Sequence, residues 1–221
     1  DLVGRDGSPH LKKHGLVATM VPGAGGIIHG LNELEYHDKF RKDFESNIKA
    51  AAADGWPNVI TFSGMRHGMS DEEGLENCHL ILKRAVRIAE DQGVTICMEL
   101  LNSKVDHPGY MCDRTEWGVD LCRRVNSPHF KLLYDIYHMQ IMEGDIIRTI
   151  RNNIEHIGHF HTAGNPGRQD LDDEQELNYV GIMRAIAKLT EEGKFNGYVA
   201  HEFGGKHGFD SLRHAVQLCD V

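Results

Sequence analysis

Apolar residues fall along the chain in short runs, each followed by a polar loop and then by a stretch where apolar positions return every three or four residues. Six runs, at 16–20, 58–62, 95–100, 131–135, 156–161 and 197–202, predict strands. Their starts recur every 25–42 residues, the length of one strand–helix unit. The runs are too continuously apolar to alternate, as expected of parallel strands covered on both faces. Between them, Asp71–Gln92 aligns Leu75, Cys78, Leu82, Ala85 and Ala89 on one stripe, with Ser70 or Asp71 to cap its start and Gly93 where a helix stops. A helix over 39–53 carries Phe40, Phe44, Ile48, Ala51 and Ala52 and ends at Asp54-Gly55. Asp145 is placed to cap a helix carrying Ile146, Ile147, Ile150 and Ile154, and 211–218 predicts a last short helix.

Repeated strand–helix units without a break in composition predict one α/β domain over residues 1–221. A (β/α)8 barrel and an open doubly wound sheet both fit that order. The segment Pro22-Gly23-Ala24-Gly25-Gly26 follows the first run but lacks the G-x-G-x-x-G pattern of a phosphate-binding turn, and no acidic residue closes the next strand. It reads as a flexible loop. Polar residues gather instead at strand C-termini, where barrels place their sites. Six strands are clear, Asp1–Gly4 could be the tail of another, and the chain opens without Met. The expected fold is therefore a (β/α)8 TIM barrel lacking an N-terminal βα unit of roughly 35–45 residues.

Composition narrows the function. At 40% hydrophobic and 26% charged, with 24 Gly and 6 Pro, the chain has the balance of a soluble globular protein. A net charge of −9 and no Lys/Arg run longer than two argue against nucleic acid as a partner. No apolar stretch approaches the roughly 20 residues that span a bilayer, and no signal segment opens the chain. Five cysteines, odd in number and without a C-x-x-C, argue against a disulfide scaffold or a Cys-based zinc site and suit a reducing cytoplasm. Fifteen histidines raise metal or acid–base chemistry instead.

Four of the runs end in metal-ligating residue types: Glu99, Asp135, His161 and Glu202. A barrel brings successive strand ends onto one rim, so residues scattered over a hundred positions converge. Carboxylates closing apolar runs would each cost several kcal/mol if buried alone, a cost that a cation offsets. Three carboxylates and one imidazole suit one divalent ion, Mn²⁺, Mg²⁺ or Co²⁺, with Zn²⁺ tolerated.

The segments Glu99-Leu100-Leu101-Asn102, Asp135-Ile136-Tyr137-His138, His161 through Arg168 and His201-Glu202-Phe203 resemble the hydroxypyruvate isomerase family. That family belongs to the xylose-isomerase-like barrels, which also include ketohexose 3-epimerases and type IV apurinic endonucleases. The resemblance runs from about residue 11 to 221. It implies a divalent metal on Glu99, Asp135, His161 and Glu202, with Glu99 and Glu202 as the acid–base pair on opposite faces of the substrate. It also implies that His138 and Arg168 contact substrate oxygens. Moving a carbonyl between neighbouring carbons needs a base beside the carbon and positive charge on the oxygens, which agrees with those roles. Arg168 offers a planar fork for a substrate carboxylate.

Residues 101–115 form a long loop expected to act as a lid, with Asn102 and His107 as candidate substrate contacts. His67, in the loop after the second predicted strand, is another; His159 is expected behind His161, and His201 to point away from Glu202. Trp56 and Trp117 read as packing residues. The expected activity is conversion of hydroxypyruvate to tartronate semialdehyde or of a related small 2-keto acid or sugar, with a homo-oligomer compatible. His161 stands where the sugar epimerases carry His and bacterial hydroxypyruvate isomerases often carry Gln, so a ketohexose 3-epimerase is the second reading. A nuclease would need an Asp-x-His pair that 169–180 lacks. A non-catalytic sugar-binding barrel is the remaining alternative.

Overall fold

Val59, Ile60, Ile96, Met98, Leu132 and Tyr134 are all buried, and they lie in the central strands of one parallel sheet. A computed structural model describes residues 7–221. The strands are β1 (Val21–Ala24), β2 (Asn58–Thr61), β3 (Thr95–Glu99), β4 (Phe130–Asp135), β5 (Ile157–Thr162) and β6 (Tyr198–His201). The helices are α1 (Ser8–Lys13), α2 (His37–Asp54), α3 (Asp71–Gln92), α4 (Thr115–Val125), α5 (Ile136–Met142), α6 (Ile146–Asn153), α7 (Tyr179–Glu191) and α8 (Phe209–Cys219). Each strand pairs in parallel with its successor, in the order β1-β2-β3-β4-β5-β6. This is the wall of a TIM barrel, six strands among the described residues where a closed barrel has eight. Asp1–Gly4 lie outside the described residues.

Two cores sit on the two faces of the sheet. The larger packs the helices against it, through Phe44, Ile48, Leu82, Ala89, Ile96 and Met98, with Trp56 and Trp117 both buried. The smaller is Met20, Ile60, Cys97 and Leu133. Side chains two apart on a strand share a face, so the face of Cys97 and Leu133 also carries Glu99 and Asp135. All five cysteines are free, as expected, and no described helix is long and apolar enough to cross a membrane.

α3 has the limits its pattern predicts. Ser70 Oγ accepts the N–H of Glu73 at 3.2 Å, and Gly93 closes the helix at φ 67°. Two expectations are corrected. The first strand lies at Val21–Ala24 rather than 16–20, so Pro22, Gly23 and Ala24 are strand, not loop; Leu16 and Val17 are exposed. Among the described residues β1 ends the sheet, and there the missing N–H of Pro22 is tolerated. Gly23 is required by close approach: a Cβ there would lie 2.4 Å from Ile60 O on β2. Gly23→Ala is expected to cost about 1–3 kcal/mol by forcing the two strands apart, read as a lower urea midpoint. Asp145 does precede α6, but its side chain makes no cap hydrogen bond and pairs with Arg148 at 3.1 Å.

Candidate functional site

β3, β4 and β5 are neighbours in register: Glu99 pairs with Leu133, and Asp135 with His161. Ala200 of β6 pairs with His161, so Glu202, two residues on, returns to the same face just beyond the strand. The four predicted ligands therefore meet. One donor atom from each of Glu99, Asp135, His161 and Glu202 lies within 4.8 Å of all the others. His161 Nδ1 is 2.9 Å from Glu202 Oε2, 3.4 Å from Glu99 Oε1 and 4.0 Å from Asp135 Oδ2. Donors around one ion at bonds of about 2.1 Å are at most about 4.2 Å apart, so a shift of some tenths of an ångström would close the set on an ion. Geometry and donor chemistry both fit a hard divalent cation.

The cluster concentrates negative charge out of water. Burial pushes the Glu99 carboxyl upward, and His161 only partly offsets this. Burial also works against a charged His161, but hydrogen bonds to Glu202 and Glu99 override it and raise the imidazole to about 10. Glu202 is less enclosed; despite the cost of burial, His161 and Arg168 lower it. Arg168 donates from Nη2 to Glu202 Oε2 at 2.6 Å and to Asp135 Oδ2 at 3.3 Å. It is carried there by a tight loop in which Gly164 and Gln169 bridge, and a Cβ on Gly164 would lie 2.1 Å from Asp170 O. Positive groups thus already converge on the carboxylates. Mn²⁺ at 100 times its dissociation constant is expected to stabilise the fold by about 2.7 kcal/mol, a Tm rise of roughly 5–10 °C for a chain of this size. Differential scanning fluorimetry after metal stripping checks it.

The predicted substrate contacts divide. Asp135 Oδ1 accepts the His138 N–H at 3.0 Å, capping α5, so the residue that closes β4 also starts the next helix. His138 is fully buried, with burial lowering it to about 4, and its Nε2 lies 3.8 Å from Asp135 Oδ2. His107 lies beside it, ring centroids 5.4 Å apart. Asn102 is buried against His138. His67 is different: it is exposed and faces Glu33 at 3.8 Å. His159 is buried behind His161, rings edge-to-face at 5.2 Å, and His201 turns to Thr162, its Nδ1 2.7 Å from Oγ1.

The 101–115 loop is a pinned strap. Tyr110 accepts the Ser63 N–H at 3.0 Å and donates to Glu99 O at 2.9 Å, and Cys112 N–H donates to Ser63 Oγ at 2.9 Å. Sequence reasoning missed Tyr110, Asp106 and Tyr137. Asp106 Oδ2 accepts from Asn102 Nδ2 at 2.7 Å and from the Tyr137 hydroxyl at 2.8 Å. Their signal is proximity alone: Asp106 precedes His107 and Tyr137 precedes His138.

A family model described as xylose isomerase-like TIM barrel matches residues 6–218. A 2-oxo-tetronate isomerase of Cupriavidus necator is 34% identical over 124 residues, which cover 56% of this chain and 45% of that protein. The hydroxypyruvate isomerase of Escherichia coli is 29% identical over 167 residues, covering 75% of this chain and 62% of the relative. The matches thus span about half to three-fifths of these relatives' lengths. Among solved structures, an AP endonuclease, family 2, from Brucella melitensis superposes with a TM-score of 0.83 at 26% identity, over 93% of this chain and 81% of that one. D-Psicose 3-epimerase from Clostridium cellulolyticum H10, crystallised with D-tagatose, shares the fold with a TM-score of 0.70 at 21% identity, over 95% of this chain and 75% of that one.

Proposed function

The chain belongs to the xylose isomerase-like TIM barrel family, and on that premise we propose that it is a metal-dependent isomerase converting hydroxypyruvate to tartronate semialdehyde (2-hydroxy-3-oxopropanoate). The observation that carries this reading is the pair Glu99 and Glu202. They reach one centre from β3 and from the end of β6, on either side of His161, at 3.4 and 2.9 Å from its Nδ1. Glu99, Asp135, His161 and Glu202 would hold one divalent ion, Mn²⁺, Mg²⁺ or Co²⁺ before Zn²⁺, whose charge acidifies the C–H beside a substrate carbonyl.

This chain's own residues do the rest. One of the two Glu takes a proton from C3 of hydroxypyruvate, leaving an enediolate across C2 and C3. The other delivers a proton to C2, and the O3 proton passes to O2, so substrate and product differ only in where hydrogen sits. Arg168 and His138 bind at the oxygen-bearing end. Arg168 Nε is buried and has no hydrogen-bond partner among the described residues, a donor available to the substrate carboxylate. Free cysteines suit a reducing cytoplasm.

NMR of hydroxypyruvate in D₂O, with metal-stripped protein and after Mn²⁺ or Mg²⁺ is restored, tests the reading. Metal-dependent tartronate semialdehyde bearing deuterium at C2 is the expected result. The second reading, a ketohexose 3-epimerase, would use the same two Glu to exchange a proton at one carbon, and D-psicose 3-epimerase shares the fold. Deuterium entering D-fructose, with none in hydroxypyruvate, would replace the first reading by the second.

A further inference from the structure

The orientation of the Asn102 amide is fixed by the backbone around it. Its Oδ1 accepts the N–H of Val105 at 3.0 Å and of Asp106 at 2.8 Å. Nδ2 is therefore the donor end, and it faces two acceptors, Asp106 Oδ2 at 2.7 Å and His138 Nδ1 at 2.6 Å. The Asn102 backbone N–H points at the same ring nitrogen, 3.2 Å away. Two donors converging on Nδ1 require a lone pair there, and a neutral imidazole with a lone pair on Nδ1 carries its proton on Nε2. The other end of the ring agrees. Nε2 is buried, has no hydrogen-bond partner among the described residues, and faces Asp135 Oδ2 at 3.8 Å. A carboxylate stands near each ring nitrogen, Asp135 Oδ2 3.8 Å from Nε2 and Asp106 Oδ2 4.0 Å from Nδ1, but only Nδ1 already receives two N–H groups.

We propose that Asn102, braced by Asp106 and Tyr137, locks His138 as the neutral Nε2–H tautomer, making His138 a hydrogen-bond donor to the substrate's carbonyl oxygen and never the base of the reaction. The part played by substrate rests on the isomerase reading; the tautomer does not. Asn102, which the sequence suggests as a substrate contact, is then a positioning residue, and so is Asp106. The Tyr137 hydroxyl holds the second lone pair of Asp106 Oδ2 at 2.8 Å, while the Tyr137 ring stands edge-on to His138 at 5.1 Å. With Nε2–H and the Arg168 guanidinium as its two donors, this end of the site selects a substrate that offers acceptor oxygens, a carbonyl beside a carboxylate or hydroxyl. Proton transfer at carbon is left to Glu99 and Glu202.

Long-range ¹H–¹⁵N spectra of ¹⁵N-histidine-labelled protein read the tautomer directly, with and without Mg²⁺, His138 being identified by its loss in His138→Gln. The expected spectrum at neutral pH has an unprotonated Nδ1 and a protonated Nε2. A protonated Nδ1, or averaging between tautomers, overturns the proposal whatever the substrate proves to be. The double variant Asn102→Asp with Asp106→Asn exchanges donor for acceptor while keeping the pair hydrogen-bonded. It is expected to move the proton to Nδ1 and to lower kcat on the order of 10²-fold, as when one preorganised donor to a developing oxyanion is lost, with KM changed far less. An unmoved tautomer in that variant also overturns the proposal. A locked Nε2–H in a protein that turns over no keto acid or ketose would retire the isomerase reading and leave the tautomer assignment standing.

Discussion

Glu99→Gln is expected to lower kcat by about 10²–10⁴, the range that a positioned acid–base group contributes, while the fold stays intact. The side chain is buried at the end of β3, and Gln occupies nearly the same volume, so packing changes little. What disappears is the capacity to accept a proton from carbon, together with one of the charges that would hold the ion. Glu202→Gln is expected to fall in the same range, because the second carboxylate must return the proton. The two variants separate in D₂O. If Glu99 is the base, its variant stops deuterium exchange altogether, whereas the Glu202 variant can still form the enediolate and exchange at C3 without completing product. Steady-state rates with hydroxypyruvate and ¹H NMR of residual substrate give both quantities. Wild-type turnover in either variant would remove the two-carboxylate mechanism.

The other large effect is expected at Asp135. Its Oδ1 accepts the His138 N–H, and its Oδ2 faces Arg168, His138 and His161 at 3.3, 3.8 and 4.0 Å. Asp135→Asn keeps an oxygen for the helix cap but removes the charge at the centre of the cluster. The variant should fold, lose the Tm rise produced by Mn²⁺, and fall below detectable turnover. Asp135→Ala goes further, since it uncaps α5 and leaves buried positive groups short of a partner, a loss of about 3–5 kcal/mol where a buried pair is broken. Isothermal titration with Mn²⁺ and a urea unfolding curve distinguish the two substitutions.

The four candidate ligands were legible because each closes an apolar run, and parallel strands in register must bring such ends together. α3 was legible for a local reason: Ser70 and Gly93 act on backbone groups within one turn of themselves. β1 was not, because Pro22 and Gly23 carry the chemistry of a turn, and only pairing with β2 makes them strand. α5 was hidden by the absence of any loop: Asp135 ends β4 and caps the helix in the same residue. His67 reads as a candidate substrate contact from its position after a strand, and which groups it faces, Glu33 at 3.8 Å, is set by the loop and not by that position. Asp106 and Tyr137 could not be recognised either, because their role lies in hydrogen bonds made across 31 residues of chain.

Among the described residues, three of the four candidate ligands close strands with a neighbour on each side, while Glu202 follows β6, a strand with no fully buried residue, and is itself 36% exposed. Strand ends of that kind open by local fluctuation long before the whole fold does. An ion shared between Glu202 and the other three would therefore behave as a rivet, tying this sparsely buried strand end to the well-buried strands beside it. Amide hydrogen exchange in β6 and the residues after it should slow on adding Mn²⁺, with β3 and β4 little changed, so that Glu202 stays beside Glu99 only while that strand end is fastened.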